Sequence, residues 1–284
     1  MNPTLFGARA GFARGWTEFR QTLTSPQDLA SYLLNSVIFV VVLLFLRGDT
    51  VEGTSISVAT TAMPGVLAML LVFGGVLSLA QLLTTEREDG TLLRAKAMPN
   101  GTVGYLVGKI VTVSLMSVAS VVIVLVPSLF LFDGLAVNGV TGALTLVWVA
   151  VLGLLATLPV GAVIGSLFTS PRTSVMVTMF PLMAMIVGSG IFFPMTVLPE
   201  WAQWIAQVFP LYWLGLGMRS AFLPDAALAV EIGESWRHLE TAGVLGAWAV
   251  VGLVVAPIVL RRMARRESGA SMAERRQKAM QRVG

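Results

Sequence analysis

Cysteine is absent from the 284 residues, and histidine occurs once, at His238. The first absence excludes disulfides, thiol catalysis and thiolate-held metals, and the second excludes any site built on several imidazoles. Charge is also scarce. Asp, Glu, Lys and Arg make up 12% of the chain, against about 25% in ordinary soluble domains. No G-x-S-G serine motif and no H-E-x-x-H pair is present, which leaves an intramembrane hydrolase without its machinery. The single Gly-Lys pair, Gly108–Lys109, has Val103 where a phosphate-binding loop needs its first glycine, and Ile110 where it needs Ser or Thr. The chain therefore carries no nucleotide-binding loop of that kind.

What is there is hydrocarbon. Hydrophobic residues make up 56%, and mean hydropathy is +0.82. Apolar runs reach the roughly 20 residues that a helix needs to cross a hydrocarbon core of about 30 Å. The sequence predicts an all-α polytopic membrane protein with six transmembrane helices. The spans run from about Leu29 to Leu46, Ser57 to Leu83, Val103 to Phe132, Val140 to Phe168, Thr173 to Phe193 and Thr241 to Leu260. The first follows an arginine-bearing leader (Arg9, Arg14, Arg20), so a cleavable signal peptide is not expected.

Lysine and arginine are retained on the cytoplasmic side. With the N-terminus inside, sixteen of the 19 basic residues fall on inner segments, eight of them between Arg261 and Arg282. Only Arg47, Arg219 and Arg237 fall outside. The expected protein is a multi-pass cell-membrane protein with both termini cytoplasmic. Its +4 charge reflects topology and attraction to anionic membrane lipid, not nucleic-acid binding.

Two segments fit no span. Residues 1–28 contain Phe12, Trp16, Phe19 and Leu23 at steps of four, three and four, the pattern of an amphipathic helix lying in the membrane interface. Residues 193–225 are broken by Pro194, Pro199, Pro210 and Pro224 into two pieces, about Pro199–Val208 and Pro210–Leu223. Each is too short to cross. Together they carry Trp201, Trp204, Tyr212, Trp213 and Arg219 and, with Phe193 before them, predict a re-entrant helical hairpin on the outer side between spans five and six. Residues 29–260 thus form the transmembrane domain, and 261–284 a basic cytoplasmic tail.

Between spans two and three, residues 84–101 concentrate Glu86, Arg87, Glu88 and Asp89, followed by Gly90, Thr91 and a short helix-prone run, "TLLRAKA". By composition alone such a cluster either marks the water boundary or forms a docking element for a soluble partner.

The run "EREDGTLLRAKAMPNGTVGYLVGK", Glu86 to Lys109, resembles the signature of the type-2 permease family of ABC transporters. So does "GSGIFFPMTVLPEWAQWIAQVFPLYWLGLGMRSAFLPD", Gly188 to Asp225, and the two occur in family order. The likeness is greatest to drug-export permeases of high-GC bacteria. One departure is Phe209, where many members have Asn before the proline. The resemblance implies a membrane subunit without its own ATPase and without a cofactor of its own. Cytoplasmic ABC ATPase subunits would bind ATP and Mg, and a second permease copy, identical or related, would complete the pathway. It also implies that Glu86, Arg87, Glu88, Asp89, Gly90 and Thr91 couple to the ATPase through the following helix.

Within the spans, ionisable residues lie only at boundaries, which argues against ion-coupled secondary transport. A passive channel or carrier without an ATPase is the alternative. Asn35 and Gln81 either line a path or hydrogen-bond between helices. On span five, Met179, Phe180, Met183 and Ile186 either face a translocation path and a second copy or pack ordinarily. Gly161 and Gly165 predict a close helix contact. The substrate expected is a hydrophobic or amphipathic compound: a drug, a secondary metabolite or a lipid.

Overall fold

The structure, a computed structural model, describes residues 3–49, 57–98, 101–132, 134–190 and 195–266. Helices form wherever apolar runs were predicted, and no β-sheet occurs among the described residues. The chain opens with α1, Pro3–Thr24, and α2, Pro26–Phe45. Next, α3 (Val58–Val72) passes through a π-helical turn, Phe73–Ser78, into α4 (Leu79–Glu88) as one continuous rod. The short α5, Thr91–Lys96, precedes α6 (Gly101–Leu131) and α7 (Gly139–Leu167). Then come α8 (Pro171–Val187), α9 (Glu200–Val208), α10 (Pro210–Phe222) and α11 (His238–Arg266).

Among the described residues, four helical segments are long and apolar enough to cross a membrane: Val58–Glu88, Gly101–Leu131, Gly139–Leu167 and His238–Arg265. The predicted first and fifth spans correspond to shorter apolar helices, Tyr32–Gly48 and Pro171–Val187. At about 1.5 Å per residue, the 17 residues of α8 fall short of an untilted crossing. Phe193 and Pro194, and the tail beyond residue 266, lie outside the described residues. Asn35 falls within α2, and its side chain is not among those described.

The centre of the bundle is α7, which packs on α11, α10, α4 and the π-helical turn. Small residues allow this closeness. A Cβ added at Gly165 would lie 2.9 Å from the Ala80 carbonyl oxygen, and one at Gly161 would run into the Gly75 and Val76 backbone, so the predicted glycine pair is the contact of α7 with α4 and the π-helical turn before it. Without a hydrophobic gradient between helices in lipid, such packing supplies much of the association energy.

The two pieces of the predicted hairpin differ sharply. Every residue of α10 is buried, enclosed by α7, α3 and α11. No residue of α9 is. Between them, Phe209 adopts extended backbone (φ −93°, ψ 148°), and Pro210 starts α10 with its fixed φ. Phe209 closes the turn by packing its ring 6.3 Å from that of Trp248, so no Asn is required there.

The predicted amphipathic segment is helical, with Phe12 and Trp16 exposed. The opposite side of α1 carries Gly7, Gly11 and Gly15, all buried, and rests on α6. A Cβ at Gly15 would sit 2.5 Å from the Gly108 carbonyl oxygen. Backbone meets backbone along this seam.

Candidate functional site

The rare charges gather where α1, α4 and α6 meet. Lys109 is almost fully buried and lies between two carboxylates, 2.6 Å from Glu86 Oε1 and 2.8 Å from Glu18 Oε2. Glu18 also receives hydrogen bonds from Arg14 Nε, at 2.8 Å, and from the Thr112 hydroxyl, at 3.0 Å. Burial opposes charge on Glu18, but the hydrogen bonds from Lys109 and Arg14 outweigh it and hold the carboxyl below its ordinary range. Beside this triad, the Tyr105 ring lies 5.9 Å from both the Arg14 guanidinium and the Lys109 ammonium, a cation–π arrangement. The node thus joins α1, the end of the α3–α4 rod and the start of α6. A charge left alone at that depth would be costly, so the three helices are held together.

Arg87 works in another direction. Its guanidinium donates to the carbonyl oxygens of Ser166 and Phe168, at 3.0 and 2.9 Å. Ser166 lies in the last turn of α7 and Phe168 just beyond it, at the end whose carbonyls have no partners within the helix and whose dipole favours a cation. The central helix is thereby tied to the end of α4.

Glu88 and Asp89 point outward. Asp89 Oδ1 accepts from the Thr91 amide at 2.8 Å, and Gly90 adopts a left-handed conformation (φ 78°), so the chain reverses within two residues and starts α5. Leu92 and Ala95 turn inward, 2% exposed, while Arg94, Lys96 and Met98 face outward. The six residues singled out in the sequence therefore divide their work. Glu86 and Arg87 fasten helices, Asp89, Gly90 and Thr91 shape the turn, and Glu88 is exposed. Sequence reasoning missed Glu18 and Lys109 as members of the node. It also missed the glycine seam of α1, although the spacing 7, 11, 15 against 104, 108 was there to read.

At the hairpin end, Arg219 is buried in a two-pronged ion pair with Glu231, Nε to Oε1 and Nη2 to Oε2, the latter at 3.1 Å. Its remaining arm donates to the Gly190 carbonyl oxygen at 3.2 Å. Glu231 was not anticipated. Pro199 caps the start of α9, and Trp201 stands exposed on that helix. On α8, Phe180 and Met183 are exposed, Met179 is half-buried, and Ile186 packs into the core at 3% exposure. Phe180 and Met183, not Ile186, are thus open to a neighbour.

Long apolar helices around a small-residue core, with charges confined to their ends, define a multi-pass helical membrane protein. The family model described as ABC-2 family transporter protein matches residues 47–258. The chain belongs to that family, which supplies membrane-spanning permease subunits. A search among curated proteins finds no match.

Proposed function

We propose that this chain is the permease subunit of an ATP-driven exporter of a hydrophobic or amphipathic compound, coupled to a separate cytoplasmic ATPase through α5 and its flanking acidic residues. ABC-2 permeases normally work with ABC ATPase partners. The observation that carries the reading is the wiring of the node. The end of α4, the Gly90 turn and α5 present Glu88, Asp89 and Arg94 outward, directly after residues that grip α1 through Glu86–Lys109–Glu18 and α7 through Arg87. A displacement of α5 by a closing ATPase is shared among four helices instead of being absorbed in a loop. The ATPase subunits would bind ATP and Mg. A second copy of this chain, or a related one, would complete the pathway, with the exposed Phe180 and Met183 face of α8 as a contact.

The test is affinity purification of the tagged chain from its own host, followed by reconstitution. A stoichiometric ATPase should accompany it, and Glu86→Gln should lower substrate-stimulated hydrolysis at unchanged abundance and substrate binding. A purified, transporting chain with no ATPase would overturn the reading in favour of a passive carrier.

A further inference from the structure

We propose that the cleft between the end of α8 and α9 holds a single acyl chain of a bilayer lipid. The cleft measures about 220 Å³ and is walled by Ala184, Met185 and Gly188 on one side and Trp201, Ile205 and Ala206 on the other. The one serine on its wall, Ser189, spends its hydroxyl on the Ile186 carbonyl oxygen at 2.9 Å. Tyr212, on the inner wall, is the other hydroxyl there and is buried, while the remaining lining side chains are apolar. Pockets for drug-sized compounds run from about 300 to 1,000 Å³. This one suits a flexible chain better than a ring system.

The orientation of α9 says where the chain comes from. Its glutamines are engaged with the protein. Gln203 Nε2 donates to the Leu198 carbonyl oxygen at 2.8 Å, and Gln207 Oε1 accepts from Arg237 Nη1 at 2.8 Å. Its large apolar side chains, Trp204 and Val208 among them, are exposed instead. A helix bordering water turns its polar face outward; α9 does the reverse, as a helix set against hydrocarbon does. Trp201 and Ile205 belong to both surfaces: they wall the cleft and stand 67% and 53% exposed. The cleft therefore opens on the same apolar surface as Val187 on α8, 59% exposed beside Gly188. Lipid at that surface can send one chain into it.

The inference rests only on placement in a membrane. The experiment places the purified full chain in nanodiscs of phosphatidylethanolamine and phosphatidylglycerol, doped with a phosphatidylcholine that carries a diazirine near the end of one chain. After irradiation, adducts are mapped by mass spectrometry. They should concentrate several-fold on residues 184–189 and 201–206 relative to the exposed Val250 and Val254 of α11. Ala184→Leu and Ala206→Leu, filling the cleft from opposite walls, should each reduce that labelling several-fold and leave α11 labelling unchanged. Two walls are used so that a variant lost to misfolding still leaves a test. Equal labelling of cleft and α11, or cleft labelling unmoved by both variants, overturns the proposal. So does a cysteine at Ile205 that forms disulfide-linked dimers in membranes, since a second copy would then cover the cleft. The readout requires neither ATPase nor transported compound, so its failure leaves the export reading untouched.

Discussion

At the acidic end, Lys109 joins a carboxylate 91 residues away in sequence to one on the rod beside it. At the hairpin end, Arg219 reaches Glu231 only twelve residues on. Both clusters are buried, yet they connect different things. The first binds helices that would otherwise move separately, with Arg87 adding the central helix. The second closes one excursion of the chain on itself and fixes α10 in the bundle. The hairpin pair should therefore matter most for stability, and the acidic node most for how motion is passed along.

The largest effect should follow Arg219→Ala. It leaves the Glu231 carboxylate buried at 6% side-chain exposure without its cation, a loss of about 3–5 kcal/mol. Chemical unfolding of the purified protein should show it, and Arg219→Met with Glu231→Leu should recover most of the stability. If Arg219→Ala unfolds like the unaltered protein, the pair does not hold the hairpin. Lys109→Met comes next, at about 1.5–3 kcal/mol for lost hydrogen bonds to charged groups. It should be milder because Glu18, at 23% side-chain exposure, can regain water. Its pH signature is specific. A carboxyl held low in the folded state adds stability above its unfolded pKa, and this is lost as pH falls through the folded one. With Lys109 gone, burial acts on Glu18 with less opposition, so acid destabilisation should begin at a higher pH than in the unaltered protein. Identical acid profiles would mean that Lys109 does not hold Glu18 charged.

This contrast was only half legible in the sequence. Charges are so few that Glu86 to Asp89 and Arg219 stood out at once, and the helices were visible as apolar runs. Partners were not. Nothing local marks Glu18 as the residue that meets Lys109, and Glu18 lies before the first residue that the family model matches. Helix rotation was equally hidden, because a helix apolar on all sides carries no periodic signal of its buried face. Hence Met183 and Ile186 looked equivalent on α8, although one is exposed and the other buried. Likewise α9 and α10, both rich in aromatics, read alike but occupy opposite environments. Small residues spaced by four were the exception: the Gly161–Gly165 contact was read correctly, and the same rule covers Gly7, Gly11 and Gly15.

That seam supplies a smaller perturbation of the acidic node. Gly15→Leu forces a side chain into the Gly108 backbone and Val111, an overpacking cost of about 1–3 kcal/mol. The strain can be relieved by lifting α1 off α6. Limited proteolysis should then cut near residues 20–25 at a protease dose that spares the unaltered protein, and ATPase stimulation should fall. Protection equal to the unaltered protein would show that the seam is not what seats α1.

The smallest expected effect separates the two ends most cleanly. Gly90 and Gly134 both hold positive φ, 78° and 77°, where a Cβ meets the following carbonyl oxygen at a cost of about 1 kcal/mol. Gly134 lies in the α6–α7 connection, with open space where a Cβ would go, so Gly134→Ala isolates the backbone penalty. Gly90 is buried, so Gly90→Ala should cost at least as much stability as Gly134→Ala. Their functional consequences should diverge. The Gly90 turn sets the angle at which α5 leaves α4, so re-aiming it should reduce substrate-stimulated ATP hydrolysis by the partner while basal hydrolysis is kept. The Gly134 turn touches nothing in the node, so stimulation there should match the unaltered protein. If both variants lose stimulation equally, the defect follows stability and not the direction of α5, and the α5 turn has no special part in coupling.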